Sequence, residues 1–185
     1  NILQNNPYRL LGVYSNSPTK ERLANHNRMK AFLKVGKSVS FPLDVPQYLT
    51  SINRTEALVS DAEAKLTLPK DQILHAQFWF IKTTPLDEVA FNHLFAGEIE
   101  KAEEIWQKRE CLSALQNRIV CALIRNKYDF AIKYAEVLYG NTQYLNQFVS
   151  KIIGTGGNFD VSNLGFSFLD ILCEEIGVSK LLPFI

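Results

Sequence analysis

The sequence has few cysteines, and they show no pairing pattern. Cys111, Cys121 and Cys173 lie far apart and form no Cys-x-x-Cys motif. This spacing favours neither a disulfide framework nor a zinc site. The apolar neighbours of the three cysteines predict buried thiols, which are compatible with a reducing compartment.

Long apolar runs are also absent. No segment has the roughly twenty consecutive apolar residues that span a bilayer, and no basic start followed by an apolar stretch indicates a signal peptide. We therefore expect no membrane contact within these residues and a cytoplasmic location. Because the chain begins with Asn1 rather than Met and stops at Ile185, we expect it to be part of a longer protein.

Charge of one sign is not in excess. Twenty Lys and Arg residues oppose nineteen Asp and Glu residues, which gives a net charge of +1. A nearly neutral chain has no overall field to attract nucleic acid or an anionic membrane, so any electrostatic partner site has to be local. With 185 residues, 46% of them hydrophobic, the chain can bury a substantial core and fits one domain or two small ones.

Helical periodicity is what the sequence does have. Apolar residues recur at spacings of three and four from Lys20 onward, whereas the alternating pattern of strands is scarce. The fold class is therefore predicted to be all-α. The predicted helices cover residues 7–11, 18–35, 54–68, 70–82, 86–95, 98–109, 112–125, 128–139, 142–153 and 161–176, with a short helix after Gly177.

Glycine, proline and serine mark the ends of the first helices. Gly12 is predicted to stop the first helix in a left-handed conformation, and Gly36 to end the second. Ser17 is expected to cap the second helix, with Pro18 at its first position. Residues 37–53 contain two prolines and are predicted to form a long loop with a turn of helix near its end.

A capping-box pattern marks the predicted domain boundary. Thr84 is followed by Pro85 and, three positions on, by Asp87, which can bond back to the cap. We therefore divide the chain into domains 1–83 and 84–185. The helix at 70–82 is expected to dock the first domain onto the second. Its three consecutive aromatic residues at 78–80 cannot share one face, because neighbouring helical positions diverge by about 100°, and at least two of them are expected in the core.

The first domain resembles a J-domain of the DnaJ type in three segments. Residues 6–13 (NPYRLLGV) are similar to the opening helix of that family, and residues 17–23 to the start of its second helix. Ala62, Leu66 and Pro69 keep the spacing of the third-helix signature. The resemblance implies a three-helix N-terminal unit.

The J-domain resemblance lacks its functional tripeptide. The family stimulates ATP hydrolysis by a 70-kDa heat-shock chaperone through His-Pro-Asp between its second and third helices, and this sequence has no His-Pro-Asp. The corresponding loop carries Phe41, Pro42 and Asp44 in a different spacing and without an imidazole. The resemblance therefore implies the fold without the ATPase-stimulating activity.

The second predicted helix carries a basic stripe. The spacings of four, four, four and three place its members within about a third of the helix circumference. In J-domains this face contacts the chaperone, so the stripe is the candidate partner-binding site. The alternative is an ordinary solvated helix face. The stripe consists of Arg22, His26, Lys30, Lys34 and Lys37.

The second domain resembles tetratricopeptide-type helical repeats. Residues 97–102 (GEIEKA) match the turn into the second helix of such a repeat, and residues 126–131 (NKYDFA) repeat the pattern 29 residues later, with Asn126 in place of Gly97. Two antiparallel hairpins are therefore predicted to stack, either as this repeat or as a merely similar hairpin array. Their predicted interior comprises Ala90, Leu94, Ala102, Ile105, Trp106, Ala122, Leu123, Ala131, Ala135 and Leu138.

Reactive side chains form no recognisable catalytic pattern. No cysteine pairs recognisably with His26, His75 or His93. The glycines at 154–157 can form an anion-binding nest, but the segment lacks the Gly-Lys-Ser/Thr continuation of a phosphate loop and is predicted to be a flexible connection. We expect no enzyme activity, no metal and no cofactor.

These observations predict a non-catalytic protein–protein interaction or scaffolding module. Its protein partner is expected to bind either the concave side of the hairpin array or the basic stripe, and no nucleic acid is expected. One alternative is a divergent co-chaperone that still contacts a 70-kDa heat-shock chaperone. Another is a regulatory part of a larger enzyme or membrane protein.

Overall fold

The computed structural model describes residues 1–184, which form helices joined by loops and contain no strand. The predicted all-α fold class is therefore confirmed. No helix in this part of the chain is both long enough and apolar enough to cross a bilayer. The helices are α1 (Pro7–Leu10), α2 (Thr19–Lys34), α3 (Glu56–Ala64), α4 (Pro69–Ala76), α5 (Pro85–Phe95), α6 (Ile99–Gln107), α7 (Leu112–Ile124), α8 (Tyr128–Tyr139), α9 (Thr142–Ile153), α10 (Leu164–Ile176) and α11 (Val178–Leu181), with 3₁₀ turns at Pro42–Asp44 and Leu182–Phe184.

The first two helices end at glycines, as predicted. Gly12 and Gly36 have φ angles of 70° and 75°, in the left-handed region that glycine adopts without a Cβ clash. The start of α2 differs from the prediction. Pro18 occupies its cap position, and the Ser17 hydroxyl accepts the Tyr14 N–H at 3.1 Å, so Ser17 closes the preceding turn instead.

The third helix is shorter than the predicted range of 54–68. Thr55 caps α3 by accepting the Leu58 N–H at 3.1 Å. At the other end, the Thr67 hydroxyl donates to the Ala64 carbonyl at 2.9 Å, which offers that carbonyl a partner outside the helical ladder. Pro69 then occupies the first position of the next helix.

The helix predicted over residues 70–82 is also shorter, for a tertiary reason. α4 ends at Ala76, and residues 77–83, which we call the linking segment, are not helical. The aromatic side chains at 78–80 are all fully buried. The prediction that at least two of them are core residues is confirmed, whereas their assignment to a helix is wrong.

Side-chain amides replace the helical hydrogen bonds of the linking segment. Asn117 of α7 binds the N–H and C=O of Ile81 at 2.9 and 2.8 Å, and Asn16 binds those of Lys82 at 3.1 and 2.7 Å. Gln116 of α7 donates to three carbonyls at the end of α4 and the start of the segment. Buried backbone groups need such partners, and these amides let the chain leave the helix inside the core.

The six helices predicted between residues 86 and 176 are present, with ends shifted by at most three residues. Thr84 and Asp87 form the predicted capping box at the start of α5. α5 packs on α6 and α7 on α8, giving two helical hairpins. Of the predicted interior residues, only Ile105 is half-buried, and the other nine are buried.

The two hairpin turns share one backbone geometry. Gly97 and Asn126 both have left-handed φ angles, 80° and 56°. After each turn the next residue donates its N–H to the carbonyl five residues back, Glu98 to His93 and Lys127 to Ala122. Asparagine tolerates this conformation better than most residues, so the prediction that Asn126 replaces Gly97 is confirmed at the level of the backbone.

The C-terminal helices join the hairpins to the N-terminal part. α9 packs on α4 and α8, and α10 packs on α8. Gln77 at the end of α4 donates to the Leu164 carbonyl and the Tyr139 hydroxyl, both at 2.9 Å. One continuous hydrophobic core extends from Leu3 to Leu181. The core crosses the boundary at 83/84, and the division into two domains stays a prediction.

Candidate interaction surface

The basic stripe on α2 divides into two groups, and the first faces α3. Arg22 is only 7% exposed, and its Nε lies 3.0 Å from Oε1 of Glu63. Nδ1 of His26 lies 4.0 Å from Oε2 of the same carboxylate. Arg22 therefore pairs α2 with α3, and His26 faces the same carboxylate, so both side chains are directed at α3 and away from open surface.

The second group lies at and just beyond the C-terminal end of α2. The helix ends at Lys34, so Lys37, predicted to share its basic face, follows the Gly36 turn and is not part of the helix. Lys30 is half-buried, while Lys34 and Lys37 are exposed. None of the three forms an ion pair with any carboxylate of residues 1–184. No acidic residue occurs between Glu21 and Asp44, which makes this end of the helix locally positive.

Apolar side chains accompany these lysines. Phe32 is 40% exposed and Val35 is 68% exposed, and Nζ of Lys37 lies 5.8 Å from the Phe32 ring centroid. Contiguous exposed apolar patches rimmed by polar residues mark interaction sites, and these two side chains place exposed apolar area next to the lysines. Phe32 lies on the side of α2 opposite Lys30 and Lys34, so these residues surround the end of the helix. We call this region, formed by Lys30, Phe32, Lys34, Val35 and Lys37, the α2 tip.

The carboxylate of Asp44, in the predicted degenerate loop, forms its hydrogen bonds inside the protein. Its carboxylate accepts Nη1 and Nη2 of Arg54 at 2.8 and 2.6 Å and the Phe41 N–H at 3.2 Å. Asp44 is 6% exposed. A bidentate guanidinium partner is the strongest that a carboxylate finds in a protein, so Asp44 is not free to bind another molecule.

Arg9 completes this buried cluster from α1. Its guanidinium donates to the Asp44 carbonyl at 3.2 and 2.8 Å and to the Thr50 carbonyl at 2.7 Å. Burial lowers the pKa of Arg9 and the nearby Asp44 carboxylate opposes that effect; the group stays protonated at neutral pH. The cluster also holds buried Val45 at a φ of 46°, which a β-branched residue adopts only under constraint.

Phe41 and Pro42 differ in their exposure. The half-buried Phe41 ring has the guanidiniums of Arg54 and Arg28 at 5.0 and 5.9 Å from its centroid, and it covers Gly12, where an added Cβ would lie 2.4 Å from the ring. Pro42 is exposed at the start of the 3₁₀ turn. This 3₁₀ turn, Pro42–Asp44, is the only helical turn described in loop 37–53, and it lies in the middle of the loop and not near its end as predicted.

The end of the same loop contacts the first hairpin. The Tyr48 hydroxyl donates to the Gly97 carbonyl and accepts the Ile99 N–H at 3.0 Å. Gln47 Nε2 donates to the Phe95 carbonyl at 2.9 Å. Sequence analysis missed this contact because it joins residues about fifty positions apart and leaves no local pattern.

A second surface feature, also absent from the sequence analysis, is an apolar pocket between α8, α9 and α10. Its volume is about 540 Å³. Among the described residues, Glu136 is the only charged one in its lining. Phe166 stands at its mouth and is 71% exposed. The apolar lining includes Ile132, Leu145, Val161, Phe166, Phe168 and Leu169.

The reactive side chains lie apart from these two surfaces. Cys121 is buried, as predicted, and burial raises the pKa of its thiol; the other two cysteines are half-buried, contrary to prediction. His93 Nδ1 lies 3.1 Å from Oε1 of Glu98. Within residues 1–184 no group of three or more His, Cys, Asp or Glu side chains is arranged to hold a metal ion.

No known protein family, curated protein sequence or solved structure shows significant similarity to this chain. The resemblances to J-domains and tetratricopeptide repeats therefore rest on the residues described above.

Proposed function

We propose that this chain is a non-catalytic protein–protein interaction module in which a degenerate J-like unit is joined to a tetratricopeptide-like hairpin array. The α2 tip is the observation that supports this function most directly. It combines lysines that form no ion pair within residues 1–184 with exposed Phe32 and Val35, and such a region attracts an acidic segment of a protein partner while offering apolar contact.

The way loop 37–53 is held argues against stimulation of a chaperone ATPase. Asp44 is the only carboxylate in loop 37–53, and Arg54 neutralises it within the protein. The end of the loop is bonded to the Gly97 turn through Tyr48. A loop held in this way presents no imidazole and no free carboxylate to a chaperone.

Charge reversal at the α2 tip tests the interaction function. The double variant Lys34→Glu, Lys37→Glu alters two exposed residues that make no ion pair in residues 1–184, and Lys108→Glu, Lys151→Glu is the matched control on exposed residues elsewhere. Proteins captured from cell extract by each immobilised variant are quantified by mass spectrometry. We expect specific partners to be lost only with the α2-tip variant; three identical capture profiles would contradict the proposal.

A divergent co-chaperone is the alternative, and the exposed lysines of the α2 tip keep it open. It predicts faster ATP hydrolysis by a purified 70-kDa heat-shock chaperone when this chain is added at saturating concentration. We expect no acceleration, because the loop lacks the tripeptide. Acceleration that disappears in Lys34→Glu, Lys37→Glu would establish the alternative.

A further inference from the structure

The pocket between α8, α9 and α10 has the size and lining of a binding site. Ligand pockets typically measure about 300–1,000 Å³ and are mainly apolar, and this one measures about 540 Å³. Phe166 exposes 71% of its surface at the mouth, and an aromatic ring left in water at a concave apolar site is a typical anchor for a partner.

The charges around the pocket select the partner. Besides Glu136, two acidic residues are sequence neighbours of lining residues: Asp160 precedes Val161, and Asp170 follows Leu169. Glu136 lies in the lining itself, and no cationic side chain does. Asp170 follows Phe166 by one helical turn on α10. A partner that fills the apolar pocket therefore gains further attraction from positive charge at the rim.

We propose that this pocket binds an amphipathic α-helical segment of another protein, in which bulky apolar side chains are flanked by lysine or arginine. Three helices and the loop before α10 line the pocket, and a groove between helices accepts the apolar face of a further helix. This inference rests on the proposed interaction function in general, but it uses a surface separate from the α2 tip.

The probe is a fluorescein-labelled helical peptide of about 18 residues, or five turns, with leucine on one face and lysine on the other. A peptide of the same length with glutamate in place of lysine is its control. Binding is measured by fluorescence anisotropy at about 50 and 300 mM salt. We expect saturable binding of the lysine peptide, weakened by salt, and at least about tenfold weaker binding of the glutamate peptide.

Two variants, each with a matched control, assign the binding to the pocket. Phe166→Ser removes the exposed ring and is expected to weaken binding at least about tenfold, whereas Phe130→Ser removes another exposed ring outside the pocket and should leave binding unchanged. Glu136→Lys is expected to weaken binding several-fold, and Glu174→Lys, an exposed change outside the lining, should have less effect.

Several results would overturn this inference. They are absent binding, equal binding of both peptides, and equal effects of Phe166→Ser and Phe130→Ser. Concentration-dependent self-association that Phe166→Ser abolishes would assign the pocket to a second copy of the chain instead. The variant Lys34→Glu, Lys37→Glu should bind the peptide as the wild type does. If the wild type does not bind the peptide while the α2-tip variant still changes the capture profile, the pocket inference is refuted and the α2-tip proposal stands.

Discussion

The buried cluster of Asp44 and Arg54 is expected to be essential to the stability of the N-terminal part. The side chains of Asp44 and Arg54 are only 9% and 1% exposed. Arg54 donates hydrogen bonds from all three of its guanidinium nitrogens, two of them to the Asp44 carboxylate. Replacing Asp44 by asparagine keeps the shape and removes the counter-charge of two guanidiniums, those of Arg9 and Arg54.

The cost of this change follows from burial. Removing one partner of a buried ion pair typically costs about 3–5 kcal/mol, and two charge-assisted hydrogen bonds at about 1.5–3 kcal/mol each give a similar range. We therefore expect Asp44→Asn to lower the free energy of unfolding by about 3 kcal/mol and Asp44→Ala by about 4 kcal/mol. These are large fractions of the roughly 5–15 kcal/mol by which domains are stable.

Urea unfolding followed by circular dichroism at neutral pH measures both losses. Asp61→Ala is the matched control, because Asp61 pairs with Lys65 at 3.0 Å on the surface, where the two side chains are 57% and 51% exposed. Exposed pairs contribute about 0–1 kcal/mol. Similar losses for Asp44→Asn and Asp61→Ala would refute the conclusion that the loop is held by a buried ion pair.

Two further predictions concern backbone conformation and pH. Gly12→Ala and Gly36→Ala both place a Cβ at positive φ, which costs about 1–2 kcal/mol. At Gly12 the added Cβ also meets the Phe41 ring, whereas at Gly36 no atom of the described residues lies within 4 Å. Thermal unfolding should therefore show the larger loss of stability for Gly12→Ala, and equal losses would contradict the packing of Phe41 on Gly12. Burial lowers the pKa of His75 below its usual 6.5, so the folded state favours the neutral imidazole. The stability that neutral His75 contributes is present above pH 6.5 and is lost as the pH falls through the folded pKa. The free energy of unfolding should decrease less for His75→Gln than for the wild type between pH 7.5 and 5.5, and parallel pH profiles would argue against a neutral, half-buried His75.

Local sequence signals located most of the helices correctly. The Thr84–Asp87 capping box and the Gly12 turn act over a few residues, and their geometry is the same in almost any context. The Gly97 and Asn126 turns could be matched for the same reason. The candidate site was predictable only in part. Helical spacing indicated one basic face, but α2 ends before Lys37, and the spacing does not show that Arg22 and His26 face Glu63.

The amino-acid sequence by itself determined that this chain is helical, where most of its helices begin and end, and which apolar residues form its core, since these properties depend on neighbours within a few positions. Tertiary structure decided the rest. Residues 77–83 leave the helix because Asn16, Gln116 and Asn117 supply their backbone partners, and Asp44 is buried because Arg54 reaches it. The apolar pocket exists only where α8, α9 and α10 meet, and contacts between distant parts of a chain leave no periodic pattern in its sequence.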